Sequence, residues 1–342
     1  MADPRFYRRE GPFSIAELAD HIGLDTVSAD LRLNDIAALD EAGADALSFF
    51  SNAKLADKLA ASRAGAVLVK AEHADLVPDG TVAIICPDPY RAMAQITQLF
   101  YPDTAQSRPP AFGRQGEHAV HPDAIIGDDV VIEANAVIGP KAEIGDGCYI
   151  SAGAYVGHGT VLGRGCTIGP NASVSYALLG NGVFLQGGAQ IGVDGFGYAP
   201  GAAHIKIPQL GRVILQDHVE IGGNCGIDRG ALGDTVVGEG TKIDNLTHLA
   251  HNVKMGRHCF ITASCAIAGS TTIGDYVQMG GGAKVTGHVT IGDRCVISAM
   301  SAVLRSFPDD CQIAGAPARL RSELYRDQAF ISRLRKKGDT PS

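Results

Sequence analysis

The sequence predicts an all-β parallel β-helix of hexapeptide coils, preceded by a small α/β domain and followed by a basic helix. Three observations carry this: a six-residue aliphatic period through most of the chain, its absence before about residue 113, and helical composition after Ala316. Ile126, Ile132, Ile138, Ile144, Ile150, Val156, Leu162, Ile168 and Val174 stand six apart without a gap. The series resumes in new phase at Leu179, Leu185 and Ile191, again at Leu215, Ile221 and Ile227, and then runs unbroken from Val237 to Val303. A period of six fits neither a helix nor a simple hairpin array, and is the length of one side of a triangular coil. The 27 hexads predict nine coils of 18 residues, stacked at the ~4.8 Å spacing of paired strands.

The position two before each aliphatic also points into the narrow interior and must be small. It is Thr235, Thr241, Thr247, Val253, Cys259, Cys265, Thr271, Val277, Ala283, Val289, Cys295 and Ser301 in the last series, and Cys148, Cys166 and Cys225 earlier. Six of the eight cysteines therefore read as small core fillers rather than redox or metal groups.

Ahead of the repeat, Ser14 and Glu17 form a capping box opening an amphipathic helix, Ala66 to Lys70 and Thr81 to Cys86 read as buried strands, and Pro89 starts a helix through Phe100. The stretch from Tyr101 to Gly116 is proline-rich and reads as a linker. The expected domains are 1–112, 113–315 and 316–342. The last carries a local charge of +4, against −8 for the whole chain. The overall negative charge argues against nucleic acid as a partner. The N-terminus lacks a signal-type apolar run and no stretch of 18 apolar residues occurs, so no transmembrane segment and a cytoplasmic location are expected.

The repeat is interrupted between Ile191 and Leu215, where Asp194-Gly195-Phe196-Gly197-Tyr198 and His204 to Pro208 leave the solenoid, the kind of loop that carries binding residues. Within the last series an 18-residue coil stacks His251, Gly269, Gly287 and Arg305 on one corner, with His288 beside Gly287. Arg305 lies three coils, or ~14 Å, from His251. An imidazole can take a proton at neutral pH, Asp244 on the adjoining turn is placed to fix its tautomer, and the Gly269 N–H, lacking a Cβ, can approach an oxyanion. His248 and His258 read as structural or solvated.

Asp194-Gly-Phe-Gly-Tyr198, Lys206-Ile-Pro-Gln, Ile227-Asp-Arg-Gly-Ala-Leu232, Ile243-Asp-Asn245 and Ala250-His-Asn-Val253 together resemble the UDP-3-O-(3-hydroxyacyl)glucosamine N-acyltransferases of lipid A biosynthesis, within the hexapeptide-repeat acyltransferase superfamily. The resemblance implies a left-handed β-helix and a homotrimer with sites between subunits. It implies transfer of a 3-hydroxyacyl chain from the 4'-phosphopantetheine of acyl carrier protein to the 2-amino group of the UDP-sugar, with no bound cofactor and no metal. His251 then matches the catalytic base, Asp244 its partner carboxylate, Gly269 the oxyanion donor and His288 a second active-site imidazole. Asp194, Phe196, Tyr198, Lys206 and Arg305 are the expected substrate contacts, joined by Phe49, Asn52 and Lys54 of a uridine-binding motif. An aromatic usually follows that lysine; here Leu55 does, which leaves open whether uracil is stacked on one side, by Phe49, or on two. The +4 tail is an expected docking surface for acyl carrier protein.

Three other readings compete. A zinc hydratase on the same solenoid needs three converging histidines, but His251 and His288 are two coils apart. A non-catalytic solenoid leaves Asp244, His251 and Gly269 unexplained. A coenzyme A-dependent or O-acylating relative is opposed by the uridine-type N-terminal domain.

Overall fold

The structure, a computed structural model, describes residues 9–25, 29–102, 119–199, 202–203, 205–207, 209–231 and 233–338, without the side chains of Lys54, Ala199, Ile205, Lys206 and 334–338. The chain divides into two compact units, Met1–Phe112 and Gly113–Ser342. The expected linker from residue 103 onward lies outside the described residues.

In the first unit four strands form a parallel sheet in the order Asp35–Ile36, Ala46–Phe49, Ala66–Val69 and Val82–Ile85. Ala66–Val69 is buried at every residue, because a parallel strand covered on both faces must be apolar throughout. The helix Ile15–His21 is opened by the capping box, with Ser14 N–H donating to Glu17 and the Glu17 N–H donating to Ser14 Oγ at 3.2 Å. The helix Pro89–Phe100 starts under an Asp88 cap whose carboxylate accepts the Arg91 N–H at 3.0 Å. The buried Asp35 carboxylate is compensated by Arg9 at 3.1 Å and by the Tyr101 hydroxyl, as burial of a charge requires.

The second unit is a left-handed parallel β-helix. Its first face starts at Ala119–Val120, its second at Ile125–Ile126 and its third at Val131–Ile132. Among the described residues these faces hold ten, nine and eleven strands, the eleventh being the antiparallel return strand Arg319–Leu320, and the bridge of Ile291 to Phe307 extends the second, so ten coils are described where the repeat count predicts nine. The additional rungs are Val120, Phe307 and Ile313. Phe307 follows Val303 by four residues instead of six, so the last coil is two residues short and the period hides it. After Ile313 the chain turns back as Arg319–Leu320, antiparallel to Gln312–Ala314, and only then enters the helix Arg321–Gly338, later than composition suggests.

From Ile132 onward the aliphatics of the hexads form one continuous core, with Cys148, Cys166, Cys225, Cys259, Cys265 and Cys295 buried among them in the small slots, whereas Ile126 in the first coil is exposed. Burying each such isoleucine or leucine contributes roughly 1.5–3 kcal/mol. The glycine that follows many aliphatics has a specific cause. On the corner between second and third faces Asp146, Asp275, Asp293 and Asp309 accept backbone N–H groups of the coil above at 2.8–3.0 Å. A Cβ at Gly127, Gly256 or Gly274 would lie only 2.3–2.5 Å from those carboxylate oxygens.

The irregularities in coil length fall on another corner, between the first and second faces. There Val174 is followed by Leu179, Ile191 by Leu215, Ile227 by Val237 and Val303 by Phe307, at spacings of 5, 24, 10 and 4 residues where the regular coil has six. His251, Gly269, Gly287 and Arg305 occupy this same corner.

Candidate active site

The outer loop leaves after the strand Gln190–Val193, forms a short hairpin of Tyr198–Ala199 with Ile205–Lys206, and returns at Val213–Leu215. Arg229, from the inner loop one coil below, holds its base: its guanidinium donates to the Gly192 carbonyl at 2.9 Å and the Gln209 carbonyl at 3.0 Å, pairs with Asp194, and lies 4.0 Å from the centre of the Tyr176 ring. The two loops are joined further by Leu210 N–H to Ala231 carbonyl, 2.7 Å, and Gly211 N–H to Gly230 carbonyl, 2.9 Å.

Beneath these loops the imidazole of His251 lies between two glycines. A Cβ on Gly269 would sit 2.7 Å from Cε1 and Nε2 of the ring, and a Cβ on Gly195 would sit 2.6 Å from His251 Cβ. Only glycine leaves the ring this space. Its Nδ1 lies 3.1 Å from Asn252 Oδ1. Nearby, Asp228 is buried with its carboxylate 3.5 Å from His248 Nε2. Burial pushes the Asp228 carboxyl up from the ordinary aspartate range, while His248 and His251 pull it down and Asp194 adds to the rise.

The remaining sequence-predicted residues divide. Gly269 lies one coil below His251, and among the described residues its N–H meets no acceptor. His288 lies another coil down, exposed, with its N–H on the Gly269 carbonyl at 3.1 Å. Arg305 is exposed at the foot of the column, its guanidinium 4.7 Å from the centre of the Phe307 ring. Phe196 is 85% exposed and packs on Tyr198 at 5.2 Å, so both present aromatic surface on the outer loop. The side chain of Lys206 lies outside the described residues, as do His204, Pro208 and Leu232 of the quoted motifs.

Asp244 lies on the adjoining turn but does not meet the His251 imidazole within one chain. It stands on the corner between the third and first faces, and its carboxylate accepts the Asn245 N–H at 2.7 Å. Seven residues carry the chain across a whole face, His248–Leu249, before reaching His251. Within one chain the imidazole is therefore partnered by Asn252 rather than Asp244. His248 pairs with Asp228 and His258 stacks on Tyr276 at 5.1 Å, both exposed on the solenoid surface. Sequence reasoning missed Asn252, Arg229, Asp228 and Gly195. All four sit inside the motifs quoted above, so the signal was present but their partners were not legible.

In the N-terminal unit Phe50 is core, and Phe49 is half-buried with its ring 5.9 Å from that of the exposed Tyr90. Asn52 is exposed, Leu55 is 38% exposed, and the Lys54 side chain lies outside the described residues.

Among the described residues no helix is long and apolar enough to cross a membrane, and no cluster of three or more His, Cys, Asp or Glu is placed for a metal ion.

A family model described as UDP-3-O-(3-hydroxymyristoyl) glucosamine N-acyltransferase, LpxD, matches residues 30–99, and the bacterial transferase hexapeptide model matches 123–158, 141–175 and 234–269. Among solved structures, the UDP-N-acetylglucosamine acyltransferase of Bacteroides fragilis is similar over 59% of this chain and 71% of that one, at 22% identity and TM-score 0.46. That of Francisella novicida covers 65% and 74%, at 20% identity and TM-score 0.45. Full-length relatives go further. The UDP-3-O-acylglucosamine N-acyltransferase of Methylobacterium sp. (strain 4-46) is 49% identical over 98% of this chain and 97% of its own length, and that of Granulibacter bethesdensis is 42% identical over the same shares. With this identity running through both units, the chain belongs to the family of UDP-3-O-acylglucosamine N-acyltransferases.

Proposed function

We propose that this N-acyltransferase serves lipid A biosynthesis in the cytoplasm as a homotrimer, with acyl carrier protein as donor, and that His251 is its general base. The observation that carries the reading is the imidazole of His251 lying across the Cα of Gly269, which sets a base one coil above an open N–H. In the step proposed, the 2-amino nitrogen of UDP-3-O-acylglucosamine attacks the carbonyl carbon of the thioester on the 4'-phosphopantetheine arm. The N–C bond forms as the amine gives a proton to His251 Nε2. The Gly269 N–H receives the developing oxyanion, which is negative where a free backbone donor stabilises it best. Collapse breaks the C–S bond, and the sulfur leaves as the thiol with the proton returned from the imidazolium.

His288 and Arg305 continue down the same column toward the carrier, with the basic tail as its docking surface. Phe196, Tyr198, Lys206 and Asp194 of the outer loop bound the sugar, and Phe49, Asn52 and Lys54 take the uridine. Asp244, on another corner, enters this reading only as a residue offered by a neighbouring copy. No cofactor or metal takes part.

The test is product mass after mixing the protein with UDP-3-O-acylglucosamine and acyl carrier proteins loaded with several chain lengths, for wild type and His251→Ala. Loss of ~10²–10⁴-fold in turnover by a folded His251→Ala is the expected result. Near-wild-type turnover at saturating substrates removes His251 from the role of base.

A further inference from the structure

The base proposed above needs Nε2 unprotonated, and a neutral imidazole carries its proton on either nitrogen. Which nitrogen holds it follows from the amide of Asn252. Asn252 Oδ1 accepts the backbone N–H of Ala231 at 3.0 Å, and Asn252 Nδ2 donates to the backbone carbonyl of Gly233 at 3.1 Å. Both partners are main-chain groups with fixed roles. Turning the amide over would set NH₂ against N–H and oxygen against oxygen, so its orientation is determined. The second lone pair of Oδ1 faces His251 Nδ1 at 3.1 Å. An acceptor there requires a donor opposite.

We infer that Asn252 is a positioning residue for the reaction: its amide oxygen fixes the proton of His251 on Nδ1 and leaves Nε2 free over Gly269. The inference rests on the reading of His251 as base and supplies what that reading lacks within one chain, since Asp244 lies a full face away.

The clamp on Asn252 is built by the inner loop. The ten-residue span from Ile227 to Val237 supplies both Ala231 and Gly233, and Thr235 at its end accepts the Asn252 N–H at 2.9 Å. A regular six-residue corner has neither group to offer. The loop also fits closely: a Cβ on Gly230 would lie 2.7 Å from Asn252 Nδ2. The charged groups around the ring come from the same region. Asp228 lies above, His248 pairs with it, and Asp194 is paired with Arg229.

Three measurements on the full-length protein test the inference. Imidazole ¹⁵N shifts at neutral pH should show His251 of the wild type protonated on Nδ1, whatever its part in catalysis. Asn252 has φ +62°, a conformation that glycine and aspartate tolerate, so Asn252→Gly and Asn252→Asp are the variants to use. Asn252→Gly should lower kcat by roughly 10–100-fold, the loss that removing the partner of a metal-bound histidine causes, with KM for both substrates within about twofold and a mixture of tautomers in the spectrum. Asn252→Asp should keep the Nδ1–H tautomer and retain more kcat at alkaline pH than Asn252→Gly, while losing the hydrogen bond that Asn252 Nδ2 gives the Gly233 carbonyl. Its carboxylate favours the imidazolium, so the acid limb of its kcat/KM profile should move up by about one pH unit.

A wild-type spectrum with the proton on Nε2 overturns the inference. So does an Asn252→Gly variant with wild-type kcat beside an inactive His251→Ala. Equal losses in the Gly and Asp variants, in step with lowered Tm and with no movement of the pH limb, reduce Asn252 to a structural residue. An active His251→Ala instead defeats the reading of His251 as base, and leaves the spectrum to decide the tautomer alone.

Discussion

Gly195→Ala is the sharpest test that the outer loop sets the position of the base. Gly195 is buried, and a Cβ there would stand 2.6 Å from His251 Cβ, 3.1 Å from His251 Cγ and 2.7 Å from Gln209 Oε1. Carbon atoms in contact rest ~3.5–4.0 Å apart, so loop and coil must separate by about 1 Å. His251 Cβ is bound to the backbone and cannot swing aside as a side-chain tip would. The loop is restrained as well, by Arg229 on the Gly192 and Gln209 carbonyls. A misplacement of ~1 Å in an active site costs about 100-fold in rate, or about 2.7 kcal/mol of barrier. Overpacking should cost ~1–3 kcal/mol of stability, and the long aliphatic core absorbs that without unfolding. The assay is initial rate of N-acylated product by mass spectrometry at saturating substrates, with Tm measured in parallel. Gly197→Ala is the control, because its Cβ would meet Gln209 Nε2 at 2.8 Å and Ile207 rather than His251. A kcat for Gly195→Ala within about threefold of wild type, or an equal fall in Gly197→Ala, would refute the reasoning.

Asp228→Asn tests the buried carboxyl through pH. Its folded-state pKa is raised by burial above the unfolded ~3.9, so wild-type stability falls as pH rises from the unfolded value through the raised folded one, and the asparagine variant should gain in Tm relative to wild type as pH is raised above about 4. A gap that closes toward neutrality shows that the two histidines outweigh burial. Phe49→Ala should weaken UDP-sugar binding by an amount comparable to one base stack, ~1–3 kcal/mol, in calorimetric titration, while carrier-protein KM stays unchanged. An unaltered affinity assigns Phe49 to packing alone. Reversing Arg321 and Arg326 to Glu should raise the KM for acyl carrier protein, flatten its salt dependence and spare the KM for the UDP-sugar, since complementary charge acts mainly on association. A wild-type KM and salt slope would place the docking surface elsewhere.

The prism was legible because its interior is narrow: each coil must present an aliphatic every sixth residue and a small residue two before it, so Ile126 to Val174 state the architecture outright. The tenth coil was not legible, because Phe307 arrives two residues early and an aromatic replaces the aliphatic. His251 and Gly269 were found from an 18-residue spacing, which depends only on coil length. The roles of Asn252 and Asp244 were not. Asn252 acts through backbone atoms of 231 and 233, which no periodicity brings to it, and Asp244 is close in sequence but separated by a face of the prism. Contacts that run along the axis follow from the period, whereas contacts made by loops of irregular length do not.

The same reasoning explains why the site sits on this corner. Shifting a strand by one residue would turn its inward side chains outward, so length can change only at corners. The corner between second and third faces is tied coil to coil by carboxylates such as Asp275 and Asp293, standing two residues after the aliphatic and accepting an N–H from above. In the coils of Leu249 and Ile267 the corresponding positions of the variable corner hold His251 and Gly269. The space a carboxylate would fill under the upper coil is empty of side chain at Gly269, and the His251 ring lies in it. Omitting the rung at Gly269 makes the slot, and omitting the next one, where Gly287 stands 18 residues on, leaves the Gly269 N–H without an acceptor among the described residues. The outer loop caps the ring through Gly195 and the inner loop clamps it through Asn252, so the irregular spacings above His251 are the parts that turn a structural corner into a site.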